Sequence, residues 1–173
     1  MSKKKQDLVD HAESLFYNYG IHAIGLKRIV TEANVALMTM YNHFESKEDL
    51  VLEVLKQRED RYFDLLRSHV NTSDNQALAI ARAHSEWLRS SRQNGCMFLR
   101  AKEEYSDPTH PINTYVVAHK EALLAFVKKE NFNHEDAMRL VLLLEGATSL
   151  AEVVDVDEVA TQLQSMVTTT IGE

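Results

Sequence analysis

The chain has 173 residues, a formal charge of −7 and a single cysteine, Cys96. That length suffices for one good core, or for a small module fused to a larger one. One cysteine excludes an internal disulfide, the longest purely aliphatic run (140–144) is far too short to span a bilayer, and no secretory apolar region follows Ser2-Lys3-Lys4-Lys5. With five glycines, two prolines and abundant Leu, Ala, Glu, Lys and Met, the expectation is an all-α protein, soluble and cytoplasmic, with no membrane partner.

Apolar spacing predicts a first helix over about 4–19, with Leu8, Ala12, Leu15, Phe16 and Tyr19 on one stripe and Gly20 ending it. Leu26, Ile29, Val30 and Ala33 form the face of a second, short helix, closed by Asn34, a residue that tolerates the left-handed conformation of a sharp turn. A third short helix buries Met40 and Phe44, four residues apart, and Val35 joins them; Thr39, Tyr41, Asn42 and His43 point elsewhere. Ser46, with Asp49 three residues on, caps a long fourth helix to about residue 70. Two short amphipathic helices joined by a tight turn, the second exposing small polar and aromatic groups, describe a helix-turn-helix.

Beyond it, the polar run 71–75 stops the fourth helix and caps a fifth, about 76–91. Gly95 opens a sixth that fades near Pro108, and Pro111 suits the first turn of a seventh, to about 130. Asn133 caps an eighth, to about 152, and Asp155 with Glu158 caps a ninth, to about 169. The expected layout is three helices for DNA over 1–50 and six over 51–173, joined by a continuous fourth helix able to carry a tilt between them.

The residues Ala12, Leu15, Phe16, Gly20, Ile29, Ala33, Val35, Thr39, Tyr41, His43, Phe44, Lys47 and Leu50 resemble the tetracycline-repressor-like (TetR) family of bacterial one-component regulators, over about 8–55. Gly25, Asn34 and Ala36 depart from that family's helix cap, turn glycine and second cap. The resemblance implies an N-terminal helix-turn-helix domain, a helical effector-binding and dimerisation domain, and a homodimeric repressor on a pseudo-palindromic operator. It makes Thr39, Tyr41, His43 and Lys47 phosphate contacts. Leu37, Met38 and Asn42 are left facing the major-groove floor, where Asn pairs with adenine and apolar groups meet the thymine methyl. Lys27 and Arg28 read as phosphate contacts or a solvated face; Lys3, Lys4 and Lys5 read as a minor-groove arm or a disordered tail. Residues 1–50 hold six basic and seven acidic groups, the remainder 13 and 19, so the acidity lies mostly outside the reader. Binding that relies on a dimer and on low salt is the expectation.

In the family an effector cavity lies among helices four to seven. Here it would draw on Phe63, Trp87, Met97, Phe98, Tyr105, Tyr115 and His119, each equally acceptable as ordinary core. Helix eight carries Met138, Val141, Leu142, Glu145 and Thr148 on a stripe distinct from Leu140, Leu144 and Leu150. A helix apolar on more than one side is buried on more than one side. Family resemblance makes Met138, Val141, Leu142, Glu145, Val159, Leu163 and Met166 a two-fold interface. Cys96 near a helix start suits either a sensor thiol or packing. Glu103, Asp107, His110 and His119 fit no standard ligand spacing, so neither metal nor cofactor is expected. A helical enzyme built on Cys96 and a histidine lacks any nucleophile elbow, phosphate loop or paired metal motif, and no catalytic residue is assigned. A helical adaptor binding protein through the same helix pair is the remaining alternative.

Overall fold

The computed structural model describes residues 2–90 and 94–171. Among them are nine helices and no strand: α1 Lys3–Tyr19, α2 Leu26–Glu32, α3 Leu37–Tyr41, α4 Lys47–Val70, α5 Gln76–Ser90, α6 Met97–Glu104, α7 Pro111–Lys129, α8 His134–Leu150 and α9 Val156–Thr170. The expected all-α architecture and element order are present. The predicted end of the fifth helix at Ser91 lies outside the described residues.

Helix ends follow their sequence signals. The Asp49 amide donates to Ser46 Oγ at 3.0 Å, the Leu78 amide to Asn75 Oδ1 at 2.9 Å, and the Asp136 amide to Asn133 Oδ1 at 2.9 Å. Asp155 accepts from the amides of Asp157 and Glu158. Each bond satisfies a helix-terminal N–H that has no partner inside the helix. Gly20 ends α1 at φ 89°, where any side chain would be strained. Lys3, Lys4 and Lys5 correct the tail reading. Ser2 caps them, accepting from the Lys5 amide, and they form the first turn of α1, so they are not an extended arm.

The chain divides into two compact units, Met1–Glu59 with Met97–Val117, and Asp60–Cys96 with Ala118–Glu173. In the first, Leu8, Phe16, Ile21, Ile24, Ile29, Met40, Leu50 and Leu55 are buried beneath α1 to α3 and the start of α4. In the second, α5 packs mainly on α9, and α8 packs on both. Alanines at 77, 79, 81 and 83 are buried in α5, so a small-residue helix lets its neighbours approach closely. Leu140 and Leu144 from α8, and Val159, Leu163 and Val167 from α9, complete that core.

Candidate nucleic-acid interface

The reader is built around the turn from α2 to α3. Asn34 takes φ 50°, and the Val35 amide bonds back to the Val30 carbonyl at 2.9 Å. Ile29, Val30, Ala33, Val35, Met40 and Phe44 are buried beneath it. With those positions facing inward, α3 presents Leu37 (45 % exposed) and Met38 (71 %) from its first turn, with Tyr41 and Asn42 exposed at its end. Thr39 and His43 are half-buried, and His43 Nε2 lies 3.4 Å from Ser2 Oγ. Gly25 and Ala36 cap α2 and α3 from extended backbone without a side-chain bond, as their residue types dictate.

The cations of this region are largely engaged by neighbours. Arg28 pairs with Glu32 at 2.9 Å and lies over the Tyr19 ring, 4.4 Å from its centroid. Lys47 donates to the Ile21 carbonyl at 2.7 Å, and partial burial lowers its amine below the usual lysine range, opposed by Glu48 and Glu104. Lys5 pairs with Glu53 at 3.2 Å. Lys27 is exposed on α2.

The role of Glu104, at the end of α6, is not readable from local sequence pattern. Its carboxylate accepts from the amides of Ile21, at 2.7 Å, and His22, fixing the chain between α1 and α2. Arg100, one turn earlier, donates to the Tyr17 carbonyl at 2.8 Å. Tyr105 packs on the rings of His22 and His110, and burial with the nearby Glu48 carboxylate raises its phenol well above the ordinary range. The contact spans more than 80 residues of chain, beyond the reach of local pattern.

The aromatics expected to line an effector cavity fall in both units. Met97, Phe98, Tyr105 and Tyr115 belong to the first, where Tyr115 Oη donates to Glu59. Phe63, Trp87 and His119 belong to the second, in one ring cluster: Tyr62 to Trp87 5.2 Å, Phe63 to Phe126 5.6 Å, Phe63 to His119 6.0 Å. Beneath it runs a buried polar chain. Thr148 Oγ1 donates to the Leu144 carbonyl, so it accepts from His84 Nε2 at 3.0 Å, which leaves His84 Nδ1 to accept from Tyr62 Oη at 2.8 Å. Burial, with Lys120 nearby, depresses His84 from 6.5 to about 4. Lys120 bonds both Glu145 oxygens, at 2.6 and 2.7 Å, and lies 3.4 Å from Cys96 Sγ. Asp107 accepts from Thr109, and His110 Nδ1 from the Ile112 amide. Among the described residues no three His, Cys, Asp or Glu side chains are placed to hold a metal.

On α8 and α9, Leu142 (64 % exposed), Leu150 and Met166 leave an apolar surface open, with Met138 at its edge and Val141 half-buried; Val153 (84 %) is exposed in the connection between the two helices. Leu150 therefore parts from Leu140 and Leu144, which face the core. A groove of about 300 Å³ runs along it, walled by Leu142, Gly146, Leu150 and Met166, with Val159 and Leu163 as its buried floor.

A three-helix module whose second and third helices meet through a left-handed asparagine, with the third displaying its outer face, defines a helix-turn-helix DNA-binding protein. The model of the family described as bacterial regulatory proteins, tetR family, matches residues 8–54. The TetR-family transcriptional regulator SCO4454 from Streptomyces coelicolor is 31% identical, with a TM-score of 0.89 over 96% of this chain and 93% of that one. The regulator YjdC of Escherichia coli (strain K12) is 26% identical over 156 residues, 84% of this chain and 82% of its own. LuxR of Vibrio harveyi is 29% identical over 107 residues, 62% of this chain and 52% of its own. The chain belongs to the TetR family: it is a helix-turn-helix transcriptional regulator and not an enzyme. Among the described residues no helix is long and apolar enough to cross a membrane.

Proposed function

We propose that this regulator acts in the cytoplasm as a homodimeric, ligand-responsive repressor of a pseudo-palindromic operator, with 1–50 as its DNA-binding domain and 51–173 as its effector and dimerisation domain. The observation that carries the dimer is the open apolar surface of α8 and α9, including Leu142 and Leu150, both mostly exposed. Contiguous apolar surface of this kind marks an association site, and a two-fold partner covers it with the same surface. Leu37, Met38 and Asn42 read bases, while Lys27, Arg28, Thr39, Tyr41 and His43 fix register on phosphates. Lys47 joins them with the donors that its bond to the Ile21 carbonyl leaves over.

Two helices, α4 and α7, begin in the first unit and end in the second. A small, partly apolar effector bound by the 51–173 domain shifts operator affinity if it binds the two states unequally, with a coupling typically of about 1–3 kcal/mol. A gel shift on the DNA beside the protein's own gene, at 50 and 200 mM salt, tests the reading; roughly a 10- to 150-fold loss between them is expected when Lys27 and Arg28 of two protomers neutralise about two to four phosphates. Binding as a monomer, or no binding at either salt, refutes it.

A further inference from the structure

Major-groove discrimination needs particular chemistry. Guanine is read by a cationic fork or amine on its O6 and N7, adenine by Asn or Gln on N6 and N7, and thymine by apolar contact with its C5 methyl. The outward face of α3 carries no arginine or lysine. Nearby cations are held elsewhere: Arg28 by Glu32 and the Tyr19 ring, Lys47 by the Ile21 carbonyl, Lys5 by Glu53. At the front of α3 stand instead two adjacent large apolar side chains, Leu37 and Met38, the latter 71 % exposed. Neither packs into the core that takes Val35, Met40 and Phe44, so their apolar surface meets water until something covers it. At the far end of the same face Asn42 is exposed.

From this pattern we infer that the operator half-site is read through A·T pairs, with thymine methyls under Leu37 and Met38 and one adenine under Asn42. The inference rests on the operator-binding reading above and specifies its ligand. Leu37 and Met38 need a methyl because a cytosine or a guanine edge would leave a base polar group facing an apolar side chain, without a hydrogen bond. Lys27, on the preceding helix, serves a phosphate in this arrangement and supplies no base specificity.

The test uses the full chain. Binding sites are selected from a randomised duplex pool, and in the best site each thymine is then replaced singly by uracil, which pairs identically but lacks the C5 methyl. The expected result is a half-site whose central contacts are A·T, with about a fourfold loss for each contacted methyl removed, the change for one buried carbon. Met38→Ala, a change at an exposed position, should erase the uracil penalty at one thymine. Asn42→Ala should flatten the preference for one adenine by about fivefold or more. A selected half-site with a G·C core, or a thymine-to-uracil series with no loss, overturns the inference and leaves operator binding intact. Failure to enrich any sequence over random DNA overturns the operator reading itself, and this inference with it.

Discussion

Gly146 sits inside α8, where glycine destabilises a helix by about 1 kcal/mol relative to alanine. Within the protomer nothing requires it: a Cβ built there meets no atom within 4 Å. It lies on the open groove, one turn from Leu142 and one turn from Leu150. A missing side chain with no use inside the chain suits a close helix crossing with a second copy, and in the proposed two-fold dimer each Gly146 would face the partner's α8. Gly146→Ala should therefore raise the protomer's stability by about 1 kcal/mol, or about 2–4 °C at this size. Gly146→Leu should fold equally well but overpack the crossing, at about 1–3 kcal/mol per inserted side chain. Symmetry applies that cost twice, so the dimer dissociation constant should rise at least about thirtyfold. Sedimentation equilibrium across a concentration series, paired with thermal melts at low concentration, measures both effects. A Gly146→Leu protein that dimerises like wild type would refute the crossing.

Leu142→Glu, also on the open surface, should give a folded monomer without operator affinity; a sedimentation profile unchanged from wild type contradicts it. His84 should make the fold acid-sensitive. Its folded pKa, about 4, lies below the unfolded 6.5, so the unfolded chain binds the proton more readily. Stability is then full above about pH 7.5, falls as pH drops through 6.5, and stops falling below about 4. The loss attributable to this group is about 2 kcal/mol between pH 7.5 and 5. Urea titrations at both pH values should show it in wild type and not in His84→Gln; equal pH slopes in the two proteins count against the buried neutral tautomer. Lys27→Ala should weaken all DNA sequences alike and flatten the log K against log salt slope by about two in a dimer. A changed operator preference in a competition assay would move Lys27 from phosphate to base.

What was legible in the sequence was local. Ser46, Asn75, Asn133 and Asp155 are caps because their side-chain oxygens sit three residues or fewer from the amides they serve, and such bonds depend on spacing alone. Asn34 announced its left-handed turn for the same reason. The lysines after Ser2 pulled two ways: helical spacing begins the first helix near Lys4, while like charges suggest a solvated tail. Ser2 capping and the Lys5–Glu53 pair offset that repulsion, and α1 begins at Lys3. Leu150 misled because one apolar residue at helical spacing does not say which side its helix buries; α8 turns it toward the groove. Glu104 was invisible, since a carboxylate receiving two amides from 82 and 83 residues away follows from packing, which no periodicity encodes.

The same engagement of charges bears on how an acidic chain holds DNA. A phosphate contact is favourable when a cation exchanges water and a counterion for the phosphate. Arg28 and Lys5 already pair with a carboxylate, which offsets part of their charge, and Lys47 is already partly desolvated around its carbonyl. The electrostatic return per protomer is correspondingly small. Two features of the reader compensate. In the proposed complex, exposed apolar groups on α3 would gain burial against the groove floor without any charge. The Glu104 clamp on Ile21 and His22 sets the entry to α2 before DNA arrives, so less ordering is needed on binding. On the proposed reading, weak phosphate attraction per module and apolar base contacts make affinity depend on presenting two readers at once. The proposed dimer would meet that requirement by covering the open surface on α8 and α9, which an isolated protomer leaves exposed.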